Sequence, residues 1–239
     1  MNRKPTGTRA LQDIVDVVAP LGLLFLVGLI GVIVFQGRKQ RAAKRTVFME
    51  FAKRRGYSYR ETDDGTVEQQ AAGFERFATF YSPSIGKNPA HDVVQGQVDE
   101  GTVWSFRHGT PDLDGQAREW FVCLLATRQK WQGFMRITPR DSEKKQAREI
   151  GGQPVISVGV PEFDDRFVIR SDSDISLLNE DARQVLMTAL DALAFLPEIQ
   201  LKDGNVVIYP ADRNVVVDSP GQLDALLKTA TSLAEVLAK

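Results

Sequence analysis

Residues 17–35, VVAPLGLLFLVGLIGVIVF, form a run of nineteen without one charged or strongly polar side chain. As a helix rising ~1.5 Å per residue, such a run covers about 28 Å, close to the ~30 Å hydrocarbon thickness of a bilayer. A core helix of a globular domain carries a polar stripe, and this run has none. A cleaved signal peptide has an apolar core of ~7–15 residues followed by a small-residue cleavage site. Here the exit is Val34-Phe35-Gln36-Gly37-Arg38, with no Ala-x-Ala pattern. The run predicts an uncleaved signal anchor, a single transmembrane helix over residues 17–35, preceded by a short tail over residues 1–16.

Lys and Arg near the ends of a span resist translocation and so set its orientation. Arg3, Lys4 and Arg9 precede the run; Arg38, Lys39, Arg41, Lys44, Arg45, Lys53, Arg54 and Arg55 follow it. This excess predicts an N-terminus outside and a C-terminal domain in the cytoplasm, at a plasma (inner) membrane. Residues 36–46 are then a basic juxtamembrane segment, in which Arg38, Lys39, Arg41, Lys44 and Arg45 are the candidate contacts for anionic lipid headgroups. Ala19, Gly22, Gly28 and Gly31 offer a small-residue face for helix pairing, a route to a homo-oligomer.

Of 30 Lys+Arg and 31 Asp+Glu, the first 45 residues hold eight and two, a net of +6; the remainder holds 22 and 29, a net of −7. An acidic globular part argues against nucleic acid as a partner, since phosphate recognition needs a cationic surface. The single cysteine, Cys123, excludes an intramolecular disulfide and sits among apolar neighbours, Trp120-Phe121-Val122 before it and Leu124-Leu125 after it.

Residues 47–239 read as one α+β domain of mostly antiparallel sheet with flanking helices. Residues 42–56 carry an apolar face ending at Gly56. Tyr57-Ser58-Tyr59 is extended, and residues 62–65 form a turn. Strands are expected over 77–81, 93–98, 102–108, 119–127, 134–138, 155–160, 166–170, 199–201, 206–209 and 215–217, and a short exposed helix over 141–150. Asp99-Glu100-Gly101 and Lys202-Asp203-Gly204-Asn205 are hairpin turns. A leucine-rich helix starts at Asn179 and stops at Pro197. A second starts with Ser219-Pro220-Gly221-Gln222, a capping box, and carries Leu223, Leu226, Leu227, Ala230, Leu233, Ala234 and Leu237 on one face.

Chemistry is hard to place. The only histidines, His91 and His108, stand at no metal-ligand spacing to each other or to Cys123. GxSxG, SxxK, GxGxxG and GxxxxGK[ST] are all absent. Asp112-Leu113-Asp114-Gly115 resembles the start of a calcium loop, but its twelfth position is Cys123 instead of Glu. No cofactor, metal or catalytic residue is expected. The most distinctive string is Phe163-Asp164-Asp165-Arg166-Phe167. Its two adjacent carboxylates would point to opposite faces of an extended segment, which suits capping and ion pairing better than shared acid–base work.

With Phe48-Met49-Glu50-Phe51-Ala52, Gly56-Tyr57, the stretch Val160 to Ser171 and the helix Leu177 to Leu193, that string resembles a family of uncharacterised bacterial single-pass membrane-anchored proteins. In these a cytosolic domain carries a "peFDrrF" segment; here Asp165 stands where the pattern has Arg. The resemblance implies a bacterial membrane protein and brings no activity with it. Three functions follow as expectations: a non-catalytic protein-interaction or scaffolding module with a protein partner at the bilayer; a ligand- or anionic-lipid-sensing domain; and an enzyme using His91 or His108 for proton transfer.

Overall fold

The computed structural model describes residues 42–71, 73–74, 90–111, 117–129, 131–142, 154–172, 175–212, 215, 217 and 219–237, with Leu29, Val32, Phe35, Gln36 and Lys39 upstream. The expected strand over 77–81, the Asp112–Gly115 loop and most of the helix over 141–150 lie outside these residues, as does most of the apolar run. Among the described residues no helix is long and apolar enough to cross a membrane. Contacts divide the chain into two compact units, residues 1–44 and 45–239. In the first, Leu29, Val32 and Phe35 are helical and 47, 54 and 68% exposed.

The second unit is α+β. Among its described residues the helices are α1 (45–55), α2 (Thr66–Ala71), α3 (Pro161–Asp164), α4 (Glu180–Ala192) and α5 (Pro220–Leu237), with further helical residues at 140–142 and a 3-10 turn over Ile175–Leu177. Its strands are β1 (Ser58–Thr62), β2 (His91–Val98), β3 (Gly101–Pro111), β4 (Ala117–Thr127), β5 (Phe134–Pro139), β6 (Val155–Ile156), β7 (Phe167–Ser171), β8 (Pro197–Lys202) and β9 (Asn205–Pro210). They form one nine-stranded antiparallel sheet in the order β1-β2-β3-β4-β9-β8-β5-β7-β6. The last hairpin, β8–β9, therefore inserts between β4 and β5 and joins two halves of the sheet that precede it in sequence.

Local chemistry explains the turns. Val98 pairs with Gly101, leaving Asp99-Glu100 as the β2–β3 turn. Lys202 pairs with Asn205, and the residues between them, Asp203 and Gly204, have φ of 47° and 81°. Two successive left-handed residues give the twist that a two-residue hairpin requires, and Asp-Gly tolerates it. The helix α4 begins where Asn179 Oδ1 accepts from the Ala182 N–H at 2.9 Å.

Both faces of the sheet are covered, and β4 records this in its sequence. Phe121, Cys123 and Leu125 face one core with Phe48, Phe51 and Ala52 of α1, Leu186 of α4, and Leu223, Leu226 and Leu233 of α5. Trp120, Val122 and Leu124 face the other with Val67 and Ala71 of α2, Phe74, Trp104, Phe106 and Tyr209. A strand buried on both sides loses its polar alternation, hence the unbroken apolar string. Cys123 is fully buried, and desolvation pushes its thiol up to about 12, so it packs as an inert small hydrophobe.

Two expectations fail. Residues 155–160 form a strand only over Val155–Ile156, because Val158 and Gly159 give their N–H groups to Asp164 instead of to a ladder. Val215 and Val217 stand outside any strand, and Val217 fills the first core. The short helices α2 and α3 were not expected from the sequence.

Candidate functional site

The basic segment is only partly described. Arg38 and Arg41 lie outside the described residues. Lys39 is helical and exposed, and Lys44 is half-buried. Arg45 is tied to the sheet: its guanidinium reaches Glu61 of β1 at 2.9 Å and sits 5.9 Å from the ring centroid of Tyr59.

Tyr59 leads into a first buried polar group. Asp92 sits at a bulge in β2 with φ of 52°, a left-handed conformation that Asp tolerates. The bulge turns its carboxylate to accept from Tyr59 Oη at 2.5 Å and from Arg107 Nε at 2.7 Å. Asp92 and Arg107 are both buried. Burial and the Asp92 bond raise the Tyr59 hydroxyl pKa well above its ordinary value, so it stays protonated and donates.

The histidines fall beside this group. His91 stands opposite Arg107, and His108 opposite Trp120. Since Arg107 and His108 are consecutive in β3, their side chains take opposite faces of the sheet. His108 is 1% exposed, and burial, with His91 adding to it, lowers its pKa to about 4. It is neutral at pH 7, far from the range in which a general base exchanges protons efficiently.

A second polar group crosses the face opposite α4 and α5. Arg136 of β5 pairs with Glu198 of β8 at 2.9 Å, at 4% and 0% side-chain exposure. Tyr209 of β9 donates to the same carboxylate, and Gln200 Nε2 lies 2.6 Å from Tyr209 Oη and 3.2 Å from Glu198 Oε1. The Trp120 ring stacks on Tyr209 at 6.0 Å. The sequence signal for this group was misleading, because Pro197-Glu-Ile-Gln-Leu-Lys202 alternates as a half-exposed strand does.

The Phe163–Phe167 string proves architectural. The two rings stack at 4.8 Å in the first core. Asp164 accepts from Ser157 Oγ at 2.6 Å and from the Val158 and Gly159 N–H groups at 3.1 Å, while its carbonyl accepts from Arg140 Nε at 3.1 Å. Arg166 pairs with Asp191 of α4. Desolvation works against the charge on Asp164, but the bonds from Ser157, Val158, Gly159 and Val160 outweigh it and hold its pKa below the ordinary value. Asp165 is exposed.

Among the described residues an open concavity runs along α5. Asp224, Lys228, Thr231 and Glu235 follow one another at helical spacing on one face of that helix. Opposite them stands the β2–β3 turn. A lobe of ≈ 590 Å³ has Val98, Ala225 and Leu227 as its apolar lining and the Arg55–Asp224 ion pair, 2.6 Å, at its edge. A second lobe of ≈ 290 Å³ is lined by Ala234, Arg128 and Glu235. Asp99 and Glu100 line both. The Arg128 N–H donates to the Glu100 carbonyl at 2.8 Å, which fixes the turn against the end of β4.

No protein-family model and no curated protein matches the chain. Its fold is similar to that in the crystal structure of the mycobacterial trehalose monomycolate transport factor A, TtfA. The TM-score is 0.55 over 81% of this chain and 94% of that one, at 14% sequence identity, a likeness of fold alone.

Proposed function

We propose that the chain is a membrane-tethered, non-catalytic module that binds a protein partner at the cytoplasmic face of the plasma membrane, in a transport-associated role. The observation that carries this reading is the fold shared with nearly the whole of a transport factor, in a chain that also holds a nineteen-residue apolar run and a basic collar. The exposure of Leu29, Val32 and Phe35 supports the tether, because large apolar side chains with no protein cover suit a lipid environment. The two buried polar groups support a non-catalytic role, since their charges are committed to one another inside the sheet. In this reading Arg38, Lys39, Arg41 and Lys44 meet anionic headgroups, while Arg45 divides its charge with Glu61. Confinement to the membrane raises the effective concentration of a neighbouring partner without any new contact.

The test is affinity purification of the full chain from its own membranes in mild detergent. One integral membrane protein is expected to accompany it reproducibly and in fixed ratio. A chain that emerges alone across detergents and salt conditions rejects the reading.

A further inference from the structure

We infer that the groove between α5 and the β2–β3 turn is a docking site for a Lys/Arg-rich segment that flanks a transmembrane helix of another protein. This deepens the reading above by naming the surface and the chemistry of the partner.

Three observations point there. The first is that Asp99 and Glu100 line both lobes of the groove, so an occupant that fills either lobe lies against two acidic residues. Neither carboxylate has an ion-pair or hydrogen-bond partner among the described residues, whereas the neighbouring Asp224 is already neutralised by Arg55. The second is the lining: Val98, Ala225 and Leu227 are apolar, so the groove suits a segment with an apolar side and a cationic edge. The third is the charge of the whole domain, −7 beyond residue 45, which attracts cationic segments from a distance. The membrane supplies such an occupant on the same side. Cytoplasmic flanks of membrane helices carry an excess of Lys and Arg within ~15–20 residues of the span. Lys228 in the first lobe and Arg128, next to Glu100 in the second, set a limit on charge: a purely cationic stretch is opposed there, so an acidic residue interspersed in the segment fits better than an unbroken basic run.

The experiment places a photo-crosslinking amino acid at Thr231, within the groove, in the full chain in its native membrane. A second probe goes at Met49, an exposed position on α1. Captured peptides are sequenced by mass spectrometry. The expected result is capture at Thr231 of a segment that holds several Lys or Arg next to a transmembrane helix of another protein. The double variant D99K/E100K is expected to lower that capture about tenfold, and D99N/E100Q to lower it several-fold, with unchanged melting temperatures for both. Capture of lipid, of a second copy of this chain, of an acidic segment, or of nothing at Thr231 overturns the inference, as does capture that D99N/E100Q leaves intact. If Met49 captures a membrane protein and Thr231 does not, the partner-binding reading stands and this site falls. If neither probe captures a protein, this site falls, and the co-purification above decides the partner-binding reading separately.

Discussion

At the scale of single residues, the informative groups are those whose charge is buried. His108 has a folded pKa of about 4 against 6.5 for the free side chain. Between those values the unfolded chain binds a proton that the folded chain does not, so stability is complete above pH 6.5 and falls as pH drops toward 4. The size is about 3 kcal/mol across that window. His108→Leu is expected to flatten this part of the profile, seen as a melting temperature in detergent that changes less between pH 6.5 and 4. The Arg136–Glu198 pair sets a second expectation. Removing one partner strands the other in a dry interior, at a cost of about 3–5 kcal/mol, while replacing both with apolar residues costs less. Glu198→Ala should therefore destabilise the full chain more than R136M/E198L in denaturant titrations; equal losses would show that the pair is not desolvated as a unit. None of this was legible in the sequence. Glu198 and Gln200 alternate with Ile199 and Leu201 as solvent-facing residues do, and only the cover over the second sheet face makes them buried. Cys123 was legible, because its neighbours on both sides are apolar and both faces of β4 are covered.

At the scale of elements, what could be read was whatever local chemistry fixes by itself. The turns at Asp99-Glu100 and Asp203-Gly204 stand where turn residues interrupt apolar alternation, and α4 starts at its Asn179 cap. What could not be read depends on partners far away in sequence. The ladder position of β8–β9, between β4 and β5, is set by long-range pairing and leaves no local mark. The segment after β6 fails to extend because the carboxylate of Asp164 captures the Val158 and Gly159 N–H groups. That capture makes a prediction about α3. Asp164→Ala leaves these donors without their acceptor and is expected to cost about 1–2 kcal/mol, as loss of a capping side chain does. Asp164→Asn, which keeps one acceptor oxygen, should recover part of it. The lowered pKa of Asp164 adds a pH signature: the stabilisation is present above the ordinary carboxylate range and is lost as pH falls through its depressed value. The wild-type chain should lose this contribution in acid, and Asp164→Asn should not. Amide exchange at Val158 and Gly159 reports the event locally.

At the scale of the whole molecule, the charge layout links the proposed location to the proposed recognition. A net of +6 in the first 45 residues and −7 in the rest separates a part suited to anionic headgroups from a part suited to cationic protein segments. The proposed orientation rests on a count: eight Lys/Arg follow the apolar run and three precede it. The bias lies in that difference, so it can be titrated. Changing Arg38, Lys39, Arg41 and Lys44 to Gln leaves four against three, close to balance, while sparing Arg45 and its bond to Glu61. A reporter fused after Lys239 that is active only in the cytoplasm should then fall from full signal to a mixed value, because near-balanced flanks insert both ways. Adding Lys residues to the N-terminal tail of the same variant should lower it further, and restoring Lys39 and Arg41 should bring it back. A reporter that stays fully active through the whole series would mean that the bulk and early folding of the acidic domain, instead of the collar, hold the chain in place. The same series separates two effects of the collar. If headgroup contact matters independently of topology, the variant molecules that keep the native orientation should still release from anionic vesicles at lower salt than the parent chain.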